Sequence, residues 1–261
     1  MQSTDSPAAP DSRALQAGKP LVPLAWQPPP DLQGEHGAPV PPARGEPQPL
    51  VLQIDRRMPA VRSALAPLQA LLGSSERERH ARLRRTDDRE RFLLGRGVLR
   101  LTLGRWLGRD PATLEFGHGP HGKPRLDGAP AFNLSHSGHL VLLAFHGSRE
   151  VGVDVEQERP GMDWQAIARR VLAQERVAQL EALPAADQER AFLVEWCRLE
   201  AKLKARGTGL AGLGERPPGH CTAELWDLVL PAAHLGAVAL AAPLTDHPAA
   251  AAAPRRGSRP G

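Results

Sequence analysis

The chain has 261 residues, with 33 Lys and Arg against 29 Asp and Glu, a formal net charge of +4. That length allows one large domain or two small ones around a buried core, and two cysteines, Cys197 and Cys221, cannot staple a disulfide framework. No apolar stretch approaches the ~20 residues that span a bilayer, and no basic patch followed by an apolar run opens the chain, so no membrane partner and a cytoplasmic address are expected.

Of the 27 prolines, 12 fall in residues 1–49. Proline fixes φ and removes backbone donors, so this segment is expected to be a disordered tail without a core, as are residues 244–261 with their alanine run. Leu50 to Ile54 is a short β-rich run, and Val61, Leu65, Leu68, Leu71 and Leu72 recur at helical spacing. Ser75 with Glu78 resembles a capping box opening a long helix, or a pair, that reaches Leu107. Residues 113–116 and 131–134 read as short strands on either side of a loop rich in Gly, Pro and His. Leu140 to Phe145 is a fully apolar strand, and Val151 to Glu156 is a β-branched one; with Ser148-Arg149-Glu150 as a turn, the two are expected to pair as a hairpin. Helices follow from Trp164 to Leu183 and from Asp187 to Arg206, the second ended by Gly207 and Gly209. Strands at 222–230 and 235–241 close the chain.

The order strand, helices, strand, strand thus occurs twice, and His139-Leu140 and His234-Leu235 each open the closing strand of a half. The expectation is an α+β protein of two similar halves, residues 50–146 and 147–243. A single mixed sheet is the alternative, which periodicity alone does not separate.

Five groups of residues carry candidate chemistry. Asp154 and Glu156 lie two apart on a strand and so project to one side, where paired carboxylates can grip a hard cation; a solvated strand face is the plainer reading. Glu200 and Lys204, four apart on a helix, have the geometry of an ordinary ion pair. Gly117 to Lys123 spells most of a phosphate loop, but Pro124 stands where Ser or Thr should hold magnesium, and no strong strand precedes it. Lys123 can still meet a phosphate as a point charge. In Asn133-Leu134-Ser135-His136-Ser137, neighbouring Ser and His point to opposite faces of an extended chain and cannot form a nucleophile and base pair; presentation of Ser and His to an anion is more economical. The arginines from Arg77 to Arg100 are interleaved with four acids, so a nucleic-acid partner is not expected.

Together these blocks resemble the Sfp-type 4′-phosphopantetheinyl transferases. The resemblance rests on Gly122-Lys123-Pro124, Phe132 to Gly138, Gly152-Val153-Asp154-Val155-Glu156, and Trp196 to Lys204 running into Gly207-Thr208-Gly209-Leu210, and it covers about residues 75–210. It implies a pseudodimer of two α+β halves, with coenzyme A and Mg2+ in the cleft between them. The implied activity moves the phosphopantetheine arm of coenzyme A onto a serine of an apo acyl or peptidyl carrier protein, releasing adenosine 3′,5′-bisphosphate. It assigns Asp154, Glu156 and Glu200 to the metal, with Glu200 as base and Asp154 and Lys204 beside it in catalysis. Arg91, Lys123, Ser135, His136 and Lys204 are assigned to coenzyme A. One departure stands out: Leu199 occupies the position where the family usually has Lys, and Arg198 beside it faces about 100° away on the helix. A coenzyme A-binding protein with decayed catalysis is the alternative that this departure motivates. A monomer is expected, because both halves of the cleft lie in one chain, and a carrier of secondary metabolism is the expected partner.

Overall fold

The structure, a computed structural model, describes residues 18–29, 39–213 and 223–242. Cys221 and the expected tail from residue 244 lie outside the described residues. Strands β1 (Lys19–Leu21) and β2 (Leu24–Ala25) precede β3 (Leu50–Asp55). Helices α1 (Pro59–Ser63), α2 (Leu65–Ala70), α3 (Ser74–Arg82) and α4 (Thr86–Leu107) follow, then a small hairpin of β4 (Gly117–His118) and β5 (Pro124–Arg125), then β6 (Ala131–Ser137) and β7 (Leu140–His146). The second half comprises β8 (Val151–Gln157), α5 (Trp164–Val171), α6 (Gln174–Glu181), α7 (Ala185–Arg206), β9 (Glu224–Leu228) and β10 (His234–Leu240).

Each half repeats one topology. The first strand pairs antiparallel with the last, and the last with the one before it, giving β3-β7-β6 and β8-β10-β9. The fold is therefore α+β with two similar halves. Strand alternation divides the core in three. Val141, Leu143 and Phe145 of β7 turn outward under the helices of the first half, while Leu140, Leu142 and Ala144 turn inward to meet Val151, Val153 and Val155 of β8. On β10, Ala237 and Ala239 lie under the helices of the second half, and Val238 and Leu240 join the central core. The two equivalent histidines meet where the halves join, His139 and His234 ring to ring at 4.3 Å.

The expected hairpin between Leu140–Phe145 and Val151–Glu156 does not form. β7 pairs with β3 and β6, and β8 pairs with β10 in the other sheet. The cause lies in the linker: the buried His146 ring accepts the N–H groups of Ser148 and Arg149 at Nδ1 and donates from Nε2 to the Glu46 carbonyl, turning the chain away from its own strand. What joins the sheets instead is side chain. β6 runs beside β8, and Asn133 Oδ1 accepts the Val153 N–H at 3.0 Å while Ser137 Oγ accepts the Gln157 N–H at 3.1 Å.

The expectation that residues 1–49 contribute no core fails for the described part of that segment. β1 pairs in parallel with β9, β2 with β3, and Leu21 and Trp26 are buried. A strand needs few donors when it is short and at an edge, so proline-rich sequence is compatible with this role. Three smaller expectations shift. The helix from Val61 breaks at Ala64 into α1 and α2. The cap opening α3 is at Gly73, whose N–H donates to Glu76, not at Ser75 with Glu78. Residues 113–116 follow a 3-10 turn at Pro111–Thr113 and form no strand.

Candidate functional site

The site grows from one close approach. A side-chain carbon on Gly152 would meet the Ala201 carbonyl oxygen and the Ala205 nitrogen at 2.2 Å each, so only glycine lets α7 press onto β8. Ala201 and Ala205, both fully buried, supply the flat helix face for that contact. With the helix against the strand, Glu200 and Lys204 come beside Asp154 and Glu156, which leave β8 on the Gly152 side. Gly207, at φ 74°, then ends α7 with a left-handed cap.

A cavity of about 330 Å³ opens there, lined by Leu134, Ser135, His136, Asp154, Glu156, Trp196, Glu200 and Lys204. It lies on the seam, since its lining comes from β6 of one half and from β8 and α7 of the other. Asp154 Oδ1 accepts from Lys204 Nζ at 2.6 Å and from Ser135 Oγ at 2.9 Å. Its other oxygen, Oδ2, is buried with no hydrogen-bond partner. Glu156 accepts from Ser137 Oγ at 2.9 Å, and Trp196 lines the cavity with it. Burial, and then the charge of Asp154, hold its carboxyl above the usual carboxylate pKa. Glu200 is also raised, by burial first; Lys204 opposes this, and Asp154 and Glu156 add to it. The expected Glu200–Lys204 pair is only a 4.0 Å contact, because the ammonium lies on Asp154 instead.

The residues assigned to coenzyme A divide. Ser135, His136 and Lys204 line the cavity. His136 is exposed at its mouth, yet the surrounding protein and, next, the Arg91 guanidinium hold its pKa below the ordinary imidazole value. Arg91 stands behind it, donating to the Gly138 carbonyl at 2.8 Å and to Asp88 at 2.5 Å. Lys123 is not in the cavity. Its buried ammonium donates to Glu150 at 2.7 Å and to the carbonyls of Val151 and Ala205, clamping the start of β8 to the end of α7. Arg198 is directed away from the acids: it forms a bidentate pair with Asp227 of β9 at 2.6 and 2.9 Å and bonds Glu195, so it does not replace the lysine missing at Leu199.

Ser137, which bonds Glu156, and Trp196, which lines the cavity, lie within the motifs quoted from the sequence but carry no assigned role there. Ser137 was legible in principle, since it lies two residues beyond Ser135 and shares its side of β6. A second cavity, about 410 Å³, lies between α3, α4 and residues 114–118 and contains none of the predicted site residues.

Among the described residues no group of three His, Cys, Asp or Glu side chains forms a ready metal cage. The donor set nevertheless suits a hard divalent cation: three carboxylates face one ammonium, all donors are oxygen, and the orphaned Asp154 Oδ2 lacks the partner that a buried carboxylate oxygen requires.

The fold is thus a bilobal α+β protein with a cluster of acids at the seam of its two halves. A family model for the 4′-phosphopantetheinyl transferase superfamily matches residues 150–233, and one for the N-terminal region of 4′-phosphopantetheinyl transferases matches residues 59–148. The 4′-phosphopantetheinyl transferase HetI of Nostoc is 36% identical over 180 residues, 64% of this chain and 76% of its own length. A Bacillus subtilis 4′-phosphopantetheinyl transferase is 30% identical over 169 residues, 61% of this chain and 74% of its own. The chain also spans 63% of the length of Sfp from Bacillus subtilis strain 168, at 30% identity. The chain belongs to the 4′-phosphopantetheinyl transferase family and is an enzyme that transfers phosphopantetheine. Among the described residues no helix is long and apolar enough to cross a membrane.

Proposed function

We propose that the enzyme takes the 4′-phosphopantetheine arm from coenzyme A and places it on a serine of an apo acyl or peptidyl carrier protein. The observation that carries this is the convergence of Asp154, Glu156 and Glu200 with Ser135, His136 and Lys204 on one cavity at the seam. The serine oxygen forms a bond to the pantetheine-side phosphorus of the pyrophosphate. The bond from that phosphorus to the bridging oxygen breaks, and adenosine 3′,5′-bisphosphate leaves with the electron pair. Glu200 takes the serine proton; its raised pKa makes it a better base than a solvated carboxylate. Lys204, Ser135 and His136 offer hydrogen bonds to phosphate oxygens, and Arg91 adds positive charge behind His136. Asp154, Glu156 and Glu200 would hold Mg2+, which when bound offsets charge on the pyrophosphate.

The halves 50–146 and 147–243 each supply one wall of the cleft, and the enzyme acts as a cytoplasmic monomer. Light scattering at twice the chain mass would reject the monomer. For the transfer, an apo carrier incubated with the enzyme, coenzyme A and Mg2+ gains the mass of phosphopantetheine, and equimolar adenosine 3′,5′-bisphosphate is released. Tight retention of coenzyme A with an unchanged carrier mass contradicts this and favours the binding protein with decayed catalysis, for which Leu199 is the motive.

A further inference from the structure

The seam holds two cationic claims on one carboxylate. Lys204 Nζ lies 2.6 Å from Asp154 Oδ1 and 3.3 Å from Ser135 Oγ, at the position where the proposed divalent ion needs its best-buried ligand. The two partners differ in freedom. The Asp154 side chain is 4% exposed and is held on β8 with Ser135 bonded to it, whereas the Lys204 side chain is 26% exposed on a flexible four-carbon stem. The carboxylate therefore stays when the pair separates, and the ammonium moves.

We propose that Lys204 is an exchangeable internal cation: it and a divalent ion compete for Asp154, and phosphate oxygens relieve the competition by drawing the ammonium off the acid. This rests on the proposed metal reading of the site and adds to it an order of events, in which metal affinity is low until phosphates arrive. The two other acids fit this arrangement. Among the described residues that line the cavity Lys204 is the one lysine or arginine, at 4.0 Å from Glu200, so its departure leaves three carboxylates to a single ion. Nearby cations repel one another steeply in a partly buried site, and an ion entering beside a retained ammonium would bind poorly.

The test is titration of Mn2+ into the full chain without coenzyme A, with the free ion followed by electron paramagnetic resonance. Lys204→Met should bind Mn2+ at least about tenfold more tightly than the wild type, Lys204→Arg, which keeps the charge, should remain within about threefold of it, and Asp154→Asn should bind most weakly. Binding that depends on Asp154 but is no tighter in Lys204→Met overturns the proposal and leaves the metal reading intact. Absence of Asp154-dependent binding in every protein overturns both. If Lys204→Met does not fold, the wild type decides the matter: the reactivity of Lys204 toward acetic anhydride, read by peptide mass spectrometry, should rise severalfold at high Mn2+, and unchanged reactivity overturns the exchange.

Discussion

Glu156 shows how a single side chain stores the cost of this site. Its carboxyl is raised by burial and by Asp154, so the folded chain holds that proton more tightly than the unfolded chain does. Stability therefore falls as pH rises from the ordinary carboxylate pKa through the raised one, and above that the full penalty of an ionised, crowded carboxylate remains. Glu156→Gln removes the charge and keeps an oxygen for Ser137. Without divalent ion it should melt higher than the wild type at neutral pH, with the gap closing as the pH falls toward about 4. Melting curves across that range check this; an equal or lower neutral melting point contradicts it. Lys123 is a second residue whose contacts revise its expected role. Since its ammonium satisfies Glu150 and two carbonyls, Lys123→Ala should lose roughly 1–3 kcal/mol of stability in denaturant titrations. A purely phosphate-binding lysine would leave stability unchanged.

At the scale of elements, the contact between α7 and β8 places the acids. Gly152→Ala puts a methyl group into the helix backbone, so α7 must lift by an ångström or more, carrying Glu200 and Lys204 away from Asp154. The variant should lose most of its transfer activity and melt well below the wild type, and a normal melting curve with normal turnover would contradict the packing argument. The sequence made the strands at 50–54, 140–145 and 151–156 legible, because β-branched and apolar runs announce themselves locally. Asp154 and Glu156 were legible as a pair by the same alternation. Strand partners were not: the segment Gly147 to Glu150 has the composition of a hairpin turn, and what redirects it is the His146 ring, bonded to Ser148, Arg149 and the distant Glu46 carbonyl. The Lys204–Asp154 contact was hidden for a related reason, since spacing along α7 points Lys204 at Glu200 and says nothing of the strand beneath. Proline content likewise concealed β1 and β2, whose pairing depends on edges supplied by β9 and β3, strands far away in the chain.

At the scale of the molecule, β1 and β2 lie on the outer edges of the two sheets with only Val22 and Pro23 between them, so residues 19–25 tie one half to the other opposite the β6–β8 seam. Trp26 anchors that tie in the core of the first half, and its N–H donates to the Gln53 carbonyl at 2.8 Å. Trp26→Ala should cost about 3–5 kcal/mol in denaturant unfolding, the range for emptying a buried aromatic site. A loss below about 1 kcal/mol would show that the tie contributes little. The central claim is that the acids gathered where the halves meet perform the transfer, and Glu200→Gln tests it most directly, with turnover on an apo carrier measured beside thermal melting. The amide keeps the size of the side chain but cannot accept the serine proton, so the account predicts a rate lower by roughly 10²–10⁴ with a melting point at or above that of the wild type. Near-normal turnover in a normally folded Glu200→Gln enzyme would contradict it.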